Sequence, residues 1–260
     1  MFLIAADIGN SSTKLSIGEV GDMRFVAAQA VFRGDDEISI ALPDEHCFWS
    51  ICSVNQIRCD ALVDWIGKQR RGDQYHIIGE SDVELKSAVK NRRATGRDRL
   101  VAAFMAANLA SKESPYIVVD AGTAVTIDFV SADRTFMGGV IFPGASSLLK
   151  HLADSTDALP DLTNEQNWGM AEIFADVVGT ETKSAILKGV FHTQLAGITA
   201  IVEKISDVAD KNCEVFATGG GIERIRDFLP GHWNIVPNLV LQGAFSIGES
   251  LIEKSQMESS

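Results

Sequence analysis

Two short segments of the chain place a carboxylate, a glycine and hydroxyl side chains directly after an apolar run. The first reads DIGNSSTK at residues 7–14, and the second reads DAGTAVTID at residues 120–128. A carboxylate at the end of a strand can hold a hydrated Mg²⁺ ion, and backbone N–H groups beside hydroxyls can cradle an anion. Each segment alone is equally an ordinary hairpin turn. Two such turns that face each other across a cleft would hold a nucleoside triphosphate from both sides.

A third segment, GRDR at residues 96–99, sets one carboxylate between two guanidinium groups. Asp98 could serve there as a general base, and Arg97 and Arg99 are suited to binding a carboxylate substrate. Asp is also a favoured residue at the start of a helix, and an Ala-rich, strongly helix-forming run begins at Leu100. From these residues alone, a helix cap and a general base both remain open.

Two glycine-rich segments also allow a functional and a structural interpretation. Gly219–Gly221 follow an apolar strand and would let a flat ring such as adenine approach the backbone, or simply form a tight turn. GGVIFPG at residues 138–144 could line a substrate pocket or form a tightly packed turn. The five histidines show no metal-ligand spacing, so we expect them to be structural or at the surface.

The elements that carry these segments repeat. Asp120 lies 113 residues after Asp7, close to half of the 260-residue chain, which predicts two similar domains over residues 1–114 and 115–255, with a boundary at Ser111–Pro115. Apolar runs and helical spacing place the other elements. We predict strands at Leu3–Ala6, Ile117–Val119 and Val215–Ala217, helices at Leu100–Ala110, Ser146–Leu152 and Thr182–Ile205, a loop at Arg33–Asp44 and a frayed tail at Gln256–Ser260.

Composition narrows the class of protein. The formal net charge of −12 disfavours a nucleic-acid partner. The longest uninterrupted apolar run, Leu100 to Ala107, is far shorter than the roughly 20 residues of a membrane span. The first ten residues lack the basic start of a signal peptide. Four cysteines without C-x-x-C spacing fit reduced thiols. We therefore expect a cytoplasmic protein with no membrane and no nucleic-acid partner.

Taken together and in order, the motifs resemble those of the type III pantothenate kinases, within the acetate and sugar kinase, Hsp70 and actin superfamily. The matching segments are DIGNSSTK, GRDR, DAGTAVTID, GGVIFPG, Leu159-Pro160 and GTETKSAILKG. The resemblance implies an α/β fold of two ribonuclease-H-like domains, each a mixed five-stranded sheet flanked by helices, around a central cleft. It also implies ATP-dependent phosphorylation of pantothenate, the first step of coenzyme A biosynthesis, in a protein that usually forms a homodimer.

The resemblance further implies roles for individual residues. Asp98 would be the general base and would also bind the substrate, together with Gly96, Arg97, Arg99 and Thr182. Thr123 would contact ATP, Asp120 would hold a monovalent cation (K⁺ or NH₄⁺), and Asp7 would hold Mg²⁺ through water. The residues expected to bind the ATP phosphates are Asp7, Ile8, Gly9, Asn10, Ser11, Ser12, Thr13 and Lys14.

Some positions depart from the family pattern. Val89 and Arg92 replace the usual tyrosine and proline of the segment before GRDR, Ser11 replaces a threonine, and Asn55-Gln56 replaces a more apolar pair. Two alternatives therefore stay open. One is a non-catalytic homologue that binds a nucleotide or a pantothenate-like ligand and regulates a partner. The other is a kinase of the same superfamily that acts on another small hydroxy acid or sugar.

Overall fold

A computed structural model describes residues 1–28, 42–163, 168–209 and 213–258. Contacts divide the chain into two compact units. The first takes its residues from Met1–Leu109 and from the segment that begins at Asn238, and the second is Ala110–Pro237.

The first unit is built on a mixed sheet. Its strands lie in the order β3-β2-β1-β4-β5, with β1 antiparallel to β2 and parallel to β4. Its elements in chain order are β1 (Phe2–Ile8), β2 (Thr13–Glu19), β3 (Asp22–Ala28), β4 (Cys47–Ser53), α1 (Gln56–Gln69), β5 (Gln74–Ile77), β6 (Lys86–Ser87) and α2 (Arg97–Leu109), with short 3-10 helices at Glu80–Asp82 and Arg92–Ala94.

The second unit repeats this architecture. Its strands lie in the order β11-β10-β7-β8-β9, with β7 antiparallel to β8 and parallel to β10. Its elements are β7 (Tyr116–Ala121), β8 (Ala124–Val130), β9 (Thr135–Pro143), α3 (Ala145–Asp154), α4 (Met170–Ala175), α5 (Thr182–Val208), β10 (Glu214–Thr218), α6 (Gly220–Ile225) and β11 (Asn234–Ile235), with a 3-10 helix at Arg226–Phe228. In both units the strand that carries the repeated motif, β1 or β7, is the central strand. The internal sequence repeat therefore corresponds to a repeated fold.

The last helix, α7 (Leu239–Glu258), belongs to the first unit, where it packs on β1, β4 and α2. Gly248 lies so close to the sheet that a Cβ atom there would be 2.7 Å from Ser50 and 2.8 Å from Leu3. Ser50 also donates a hydrogen bond from its Oγ to the Ala244 carbonyl at 2.7 Å. Because of this packing, α7 belongs to the first unit, whereas the predicted boundaries placed most of this helix in the second domain.

Helices cover both faces of the first sheet, which explains why β1 is apolar along nearly its whole length. Ile4, Ala6 and Ile8 pack toward Leu62 and Ile66 of α1. Leu3 faces α7 on the other side. A strand buried on both faces reads as a continuous apolar run rather than an alternating one.

The core of the second unit is centred on α5. Leu187, Phe191, Ile198 and Val202 of this helix are buried, together with Ile117 and Val119 of β7. By length and composition alone, α5 could cross a membrane, with a mean hydropathy of 1.4 over its most apolar window. In this structure the apolar face of α5 packs into the core of the second unit.

The predicted α/β fold of two ribonuclease-H-like sheets flanked by helices is confirmed. The three predicted helices correspond to α2, α3 and α5, and the predicted strands to β1, β7 and β10. The predicted frayed tail is wrong for Gln256, Met257 and Glu258, which lie in α7, and Ser259 and Ser260 lie outside the described residues. Most of the predicted loop at Arg33–Asp44 lies outside the described residues.

Candidate active site

The first phosphate motif forms the hairpin between β1 and β2. The Gly9 N–H donates to the Ser12 carbonyl at 2.9 Å, which closes the turn, and the Val54 N–H donates to the Ile8 carbonyl at 3.1 Å. Asn10 and Ser11 are exposed at its tip. The motif therefore presents a tight, ordered turn at the end of a buried strand.

Two side chains of this motif point away from the surface. Ile8 is fully buried, and Thr13 is only 1% exposed. The Thr13 Oγ1 is buried and makes no hydrogen bond with the described part of the chain. The side chains of Ile8 and Thr13 are therefore buried and are not presented at the tip of the turn.

Asp7 and Lys14 occupy partner positions on β1 and β2, and Asp7 is level with Cys52 of β4. Burial raises the pKa of the Asp7 carboxyl to about 6, Lys14 opposes the rise, and Asp98 adds to it. Burial, with the charges of Asp7 and Asp98, also raises the pKa of the Cys52 thiol well above its usual value. The first phosphate motif and the GRDR segment therefore meet within one unit.

Asp98 lies in the first turn of α2, which begins at Arg97, so it is not the residue that precedes the helix. Its Oδ1 accepts a hydrogen bond from the Arg99 N–H at 2.8 Å. A Cβ atom at Gly96 would lie 2.5 Å from the same oxygen, which explains why glycine precedes this turn. The carboxylate therefore takes up a free helix N–H and, in the same place, lies near Asp7.

The electrostatic environment of Asp98 is mixed. Burial raises the pKa of this carboxyl above its usual value, while the Arg99 N–H and the Arg99 charge oppose the rise. Such a shift brings a carboxylate closer to the range in which it can accept a proton at neutral pH. The predicted helix-cap position is wrong, because Asp98 lies within α2, although one oxygen of its carboxylate still accepts a hydrogen bond from a helix N–H.

The second phosphate motif forms the hairpin between β7 and β8. The Gly122 N–H donates to the Ala124 carbonyl at 2.9 Å, and the Thr123 side chain is exposed. Asp120 is half-buried near the end of β7. Its arrangement matches that of Asp7 on β1, as the sequence repeat predicted.

The glycine-rich segment at residues 219–221 packs directly on this hairpin. Gly219 has φ +95°, and a Cβ atom there would lie 2.5 Å from both the Asp120 Oδ1 and the Ala121 carbonyl oxygen. A Cβ atom at Gly221 would lie 2.9 Å from the same carbonyl oxygen. Around Gly220 the space is open. Two of the glycines thus have a packing reason, and Gly220 is the one left open to a ligand.

The GGVIFPG segment supports the same hairpin. Its two leading glycines lie within β9, and a Cβ atom at Gly139 would lie 2.0 Å from the Ile127 carbonyl oxygen. A Cβ atom at Gly144 would lie 2.1 Å from the Gly122 carbonyl oxygen. The predicted tightly packed turn is therefore at Pro143-Gly144, and it fits against the second phosphate turn.

Thr182 is the first residue of α5 and is exposed. The chain before it is held closely, since a Cβ atom at Gly179 would lie 2.3 Å from the Ala185 nitrogen. Lys188, which is 5% exposed, forms an ion pair with Asp176 and donates to the Asp176 carbonyl at 3.1 Å. The start of α5 thus has a defined position, and sequence patterns gave no indication of the lysine's part in it.

Arg92, one of the departures from the family pattern, is fully engaged in structure. Its guanidinium donates to the carbonyls of Glu80 at 3.0 Å, Val83 at 2.6 Å and Leu85. It therefore ties the Glu80–Leu85 segment to the chain that leads into GRDR. The guanidinium hydrogen-bonds backbone carbonyls, which gives a structural explanation for arginine at the position where the family usually has proline.

The donor set fits a hydrated Mg²⁺ ion better than a protein-enclosed metal. The described residues contain no group of three or more His, Cys, Asp or Glu side chains that could hold a metal. Mg²⁺ is commonly bound by one or two carboxylates and the substrate phosphates while it keeps several waters. Asp7, with Asp98 nearby, supplies carboxylates of that kind.

Comparison with known proteins shows which family the chain is similar to. The sequence profile of the type III pantothenate kinase family matches residues 3–204. A type III pantothenate kinase from Thermus thermophilus is 28% identical over 94% of this chain and 98% of its own length. One from Sulfurihydrogenibium sp. is 32% identical over 84% of this chain and 88% of its own. The structure of a Baf family protein from Campylobacter jejuni superposes with a TM-score of 0.58 at 20% identity, covering 96% of this chain and 99% of that one.

Proposed function

The chain belongs to the type III pantothenate kinase family, and we propose that it transfers a phosphoryl group from ATP to the terminal hydroxyl of pantothenate with Asp98 as general base. As a member of this family it is a phosphotransferase of coenzyme A biosynthesis, with ATP as its co-substrate. The proposal adds which residues carry out the reaction and in what roles.

The observation that carries the proposal is that Asp7 and Asp98 lie close enough within one unit for the Asp98 charge to raise the pKa of Asp7. Phosphoryl transfer requires little covalent chemistry from the protein and depends on positioning and on spreading charge. A partly buried carboxylate with a raised pKa is suited to accept the proton of an attacking hydroxyl. A second carboxylate beside it, at the end of a strand and next to a tight turn, is suited to a cation that accompanies phosphates.

We assign the phosphates of ATP to the turn that follows Asp7, through its backbone N–H groups, its hydroxyls and Lys14. Asp7 would hold Mg²⁺ through water, and the ion would neutralise charge on the phosphates. Thr123 would contact ATP with its exposed side chain, and Gly220 would lie beside the adenosine. Asp120 would hold K⁺ or NH₄⁺.

Family resemblance assigns pantothenate contacts to Gly96, Arg97 and Arg99, and a substrate contact to Thr182. An arginine matches the substrate carboxylate, because the planar guanidinium can form two parallel hydrogen bonds with it. The net charge of −12 is unfavourable for two anionic substrates, and these arginines with the bound cations would offset it locally.

We further propose a cytoplasmic homodimer.

The test is release of ADP by the purified protein with ATP and Mg²⁺, with and without pantothenate, in K⁺ and in Na⁺ buffers. We expect release that depends on pantothenate and that falls in Na⁺. The Asp120→Asn variant should lose the difference between the two buffers. Release that pantothenate does not stimulate in either buffer would contradict pantothenate as the substrate, and would favour a kinase of another small hydroxy acid or sugar, or a binding protein.

A further inference from the structure

The start of α3, from its cap residue Gly144 to Ser147, lies against the second phosphate turn and donates two hydrogen bonds to one of its carbonyl groups. The Thr123 carbonyl oxygen accepts a hydrogen bond from the Gly144 N–H at 2.9 Å and another from the Ser147 Oγ at 2.6 Å. A carbonyl oxygen has two lone pairs, so these two donors use its acceptor capacity. The backbone of the turn is thereby held at Thr123.

The start of α3 is itself held from two sides. Gly144 approaches the Gly122 carbonyl so closely that only glycine fits, since a Cβ atom would lie 2.1 Å from that oxygen. Gln194 of α5, which is 5% exposed, donates from its Nε2 to the Pro143 carbonyl at 2.8 Å. The Gln194 hydrogen bond and the close packing of Gly144 therefore hold the segment that leads to the two donors of the Thr123 carbonyl.

We propose that Ser147 is a positioning residue for ATP, because its hydroxyl holds the Thr123 peptide and so sets where the exposed Thr123 side chain lies. The inference rests on the proposed contact between Thr123 and ATP. Ser147 does not touch ATP in this account. It acts only through the Thr123 carbonyl, and its loss would remove one of the two donors described above.

The chain offers a matched control. Ser146 is the adjacent residue in the same helical turn, and its side chain is exposed. Ser146→Ala removes the same atom as Ser147→Ala, a hydroxyl oxygen, but it leaves the hydrogen bond from Ser147 to the Thr123 carbonyl in place. Ser147→Thr keeps a hydroxyl and should preserve the bond.

The experiment measures the Kd of the non-hydrolysable analogue AMPPNP with Mg²⁺ by calorimetry, and the KM values for ATP and pantothenate. One hydrogen bond between neutral groups is worth enough to change an equilibrium by about three- to tenfold. For Ser147→Ala we expect the AMPPNP Kd and the ATP KM to rise by that factor, with the pantothenate KM and the thermal midpoint close to wild type. Ser146→Ala and Ser147→Thr should behave like wild type.

Three results would overturn the inference. If Ser147→Ala binds AMPPNP as tightly as wild type while Thr123→Ala binds it weakly, the Ser147 role fails and the Thr123 contact stands. If neither variant changes the Kd, the proposed Thr123 contact fails, and the inference fails with it. If Ser147→Ala lowers the thermal midpoint and raises both KM values equally, the hydroxyl supports the fold in general.

Discussion

Asp7→Asn should make the protein more stable and less active. The Asp7 carboxylate is held at the end of a buried strand, where burial raises its pKa from 3.8 to about 6 despite Lys14. The folded state therefore binds the Asp7 proton more tightly than the unfolded state does. Asparagine resembles the protonated form and has no charge to bury, so the variant avoids this cost.

The size and sign follow from the shift in the pKa of Asp7. A carboxyl group whose pKa is raised in the folded state destabilises the fold when it is ionised. The free energy of unfolding therefore falls as the pH rises from about 4 through about 6. A shift of about two pKa units corresponds to about 3 kcal/mol at pH 7.5. At pH 4, near the ordinary pKa of aspartate, the difference should shrink to less than about 1 kcal/mol.

The assay is urea unfolding monitored by circular dichroism at pH 7.5 and at pH 4, in buffer with EDTA so that no divalent cation is bound. The matched control is Asp64→Asn, which changes an exposed aspartate of α1 in the same unit. We expect Asp7→Asn to unfold at higher urea at pH 7.5, and the control to match wild type. A variant that is less stable than wild type at pH 7.5, or a gain that persists unchanged at pH 4, would refute the reasoning.

Two further predictions concern single residues. Arg92→Met should lower the free energy of unfolding, measured by urea titration, by about 2 kcal/mol, because three backbone carbonyls lose a charged donor. The control Arg93→Met breaks an exposed ion pair with Glu80 and should lower it by less than about 1 kcal/mol. Equal losses in the two variants would contradict the role assigned to Arg92. Gly220→Ala should keep the wild-type thermal midpoint, since the added Cβ meets open space, yet raise the ATP KM. Gly231, which is similarly open, supplies the control, and an unchanged ATP KM in Gly220→Ala would argue against adenosine at this turn.

The parts that were predictable from the sequence are those that short-range patterns encode. The repeated Asp-x-Gly turns locate both hairpins, because a buried strand followed by turn residues has a local signature. The long apolar face from Thr182 onward identifies α5. These local patterns also explain why the two similar halves were recognisable from one sequence.

The parts that were not predictable depend on contacts between distant residues. The packing of α7 on β1 joins the two ends of the chain, and no local pattern specifies it. The nearness of Asp7 and Asp98 depends on where α2 is placed against the sheet. The roles of Arg92, Lys188 and Ser147 depend on backbone carbonyls that only the folded chain brings to them.

The most direct test of the central claim compares Asp98→Asn with wild type in pantothenate-dependent ADP release at saturating ATP and Mg²⁺. Proton acceptance by a positioned carboxylate contributes roughly 10²- to 10⁴-fold to a rate. We predict a fall in kcat of that size, with the ATP KM little changed and the fold intact by circular dichroism. A kcat within a few-fold of wild type would contradict Asp98 as the general base.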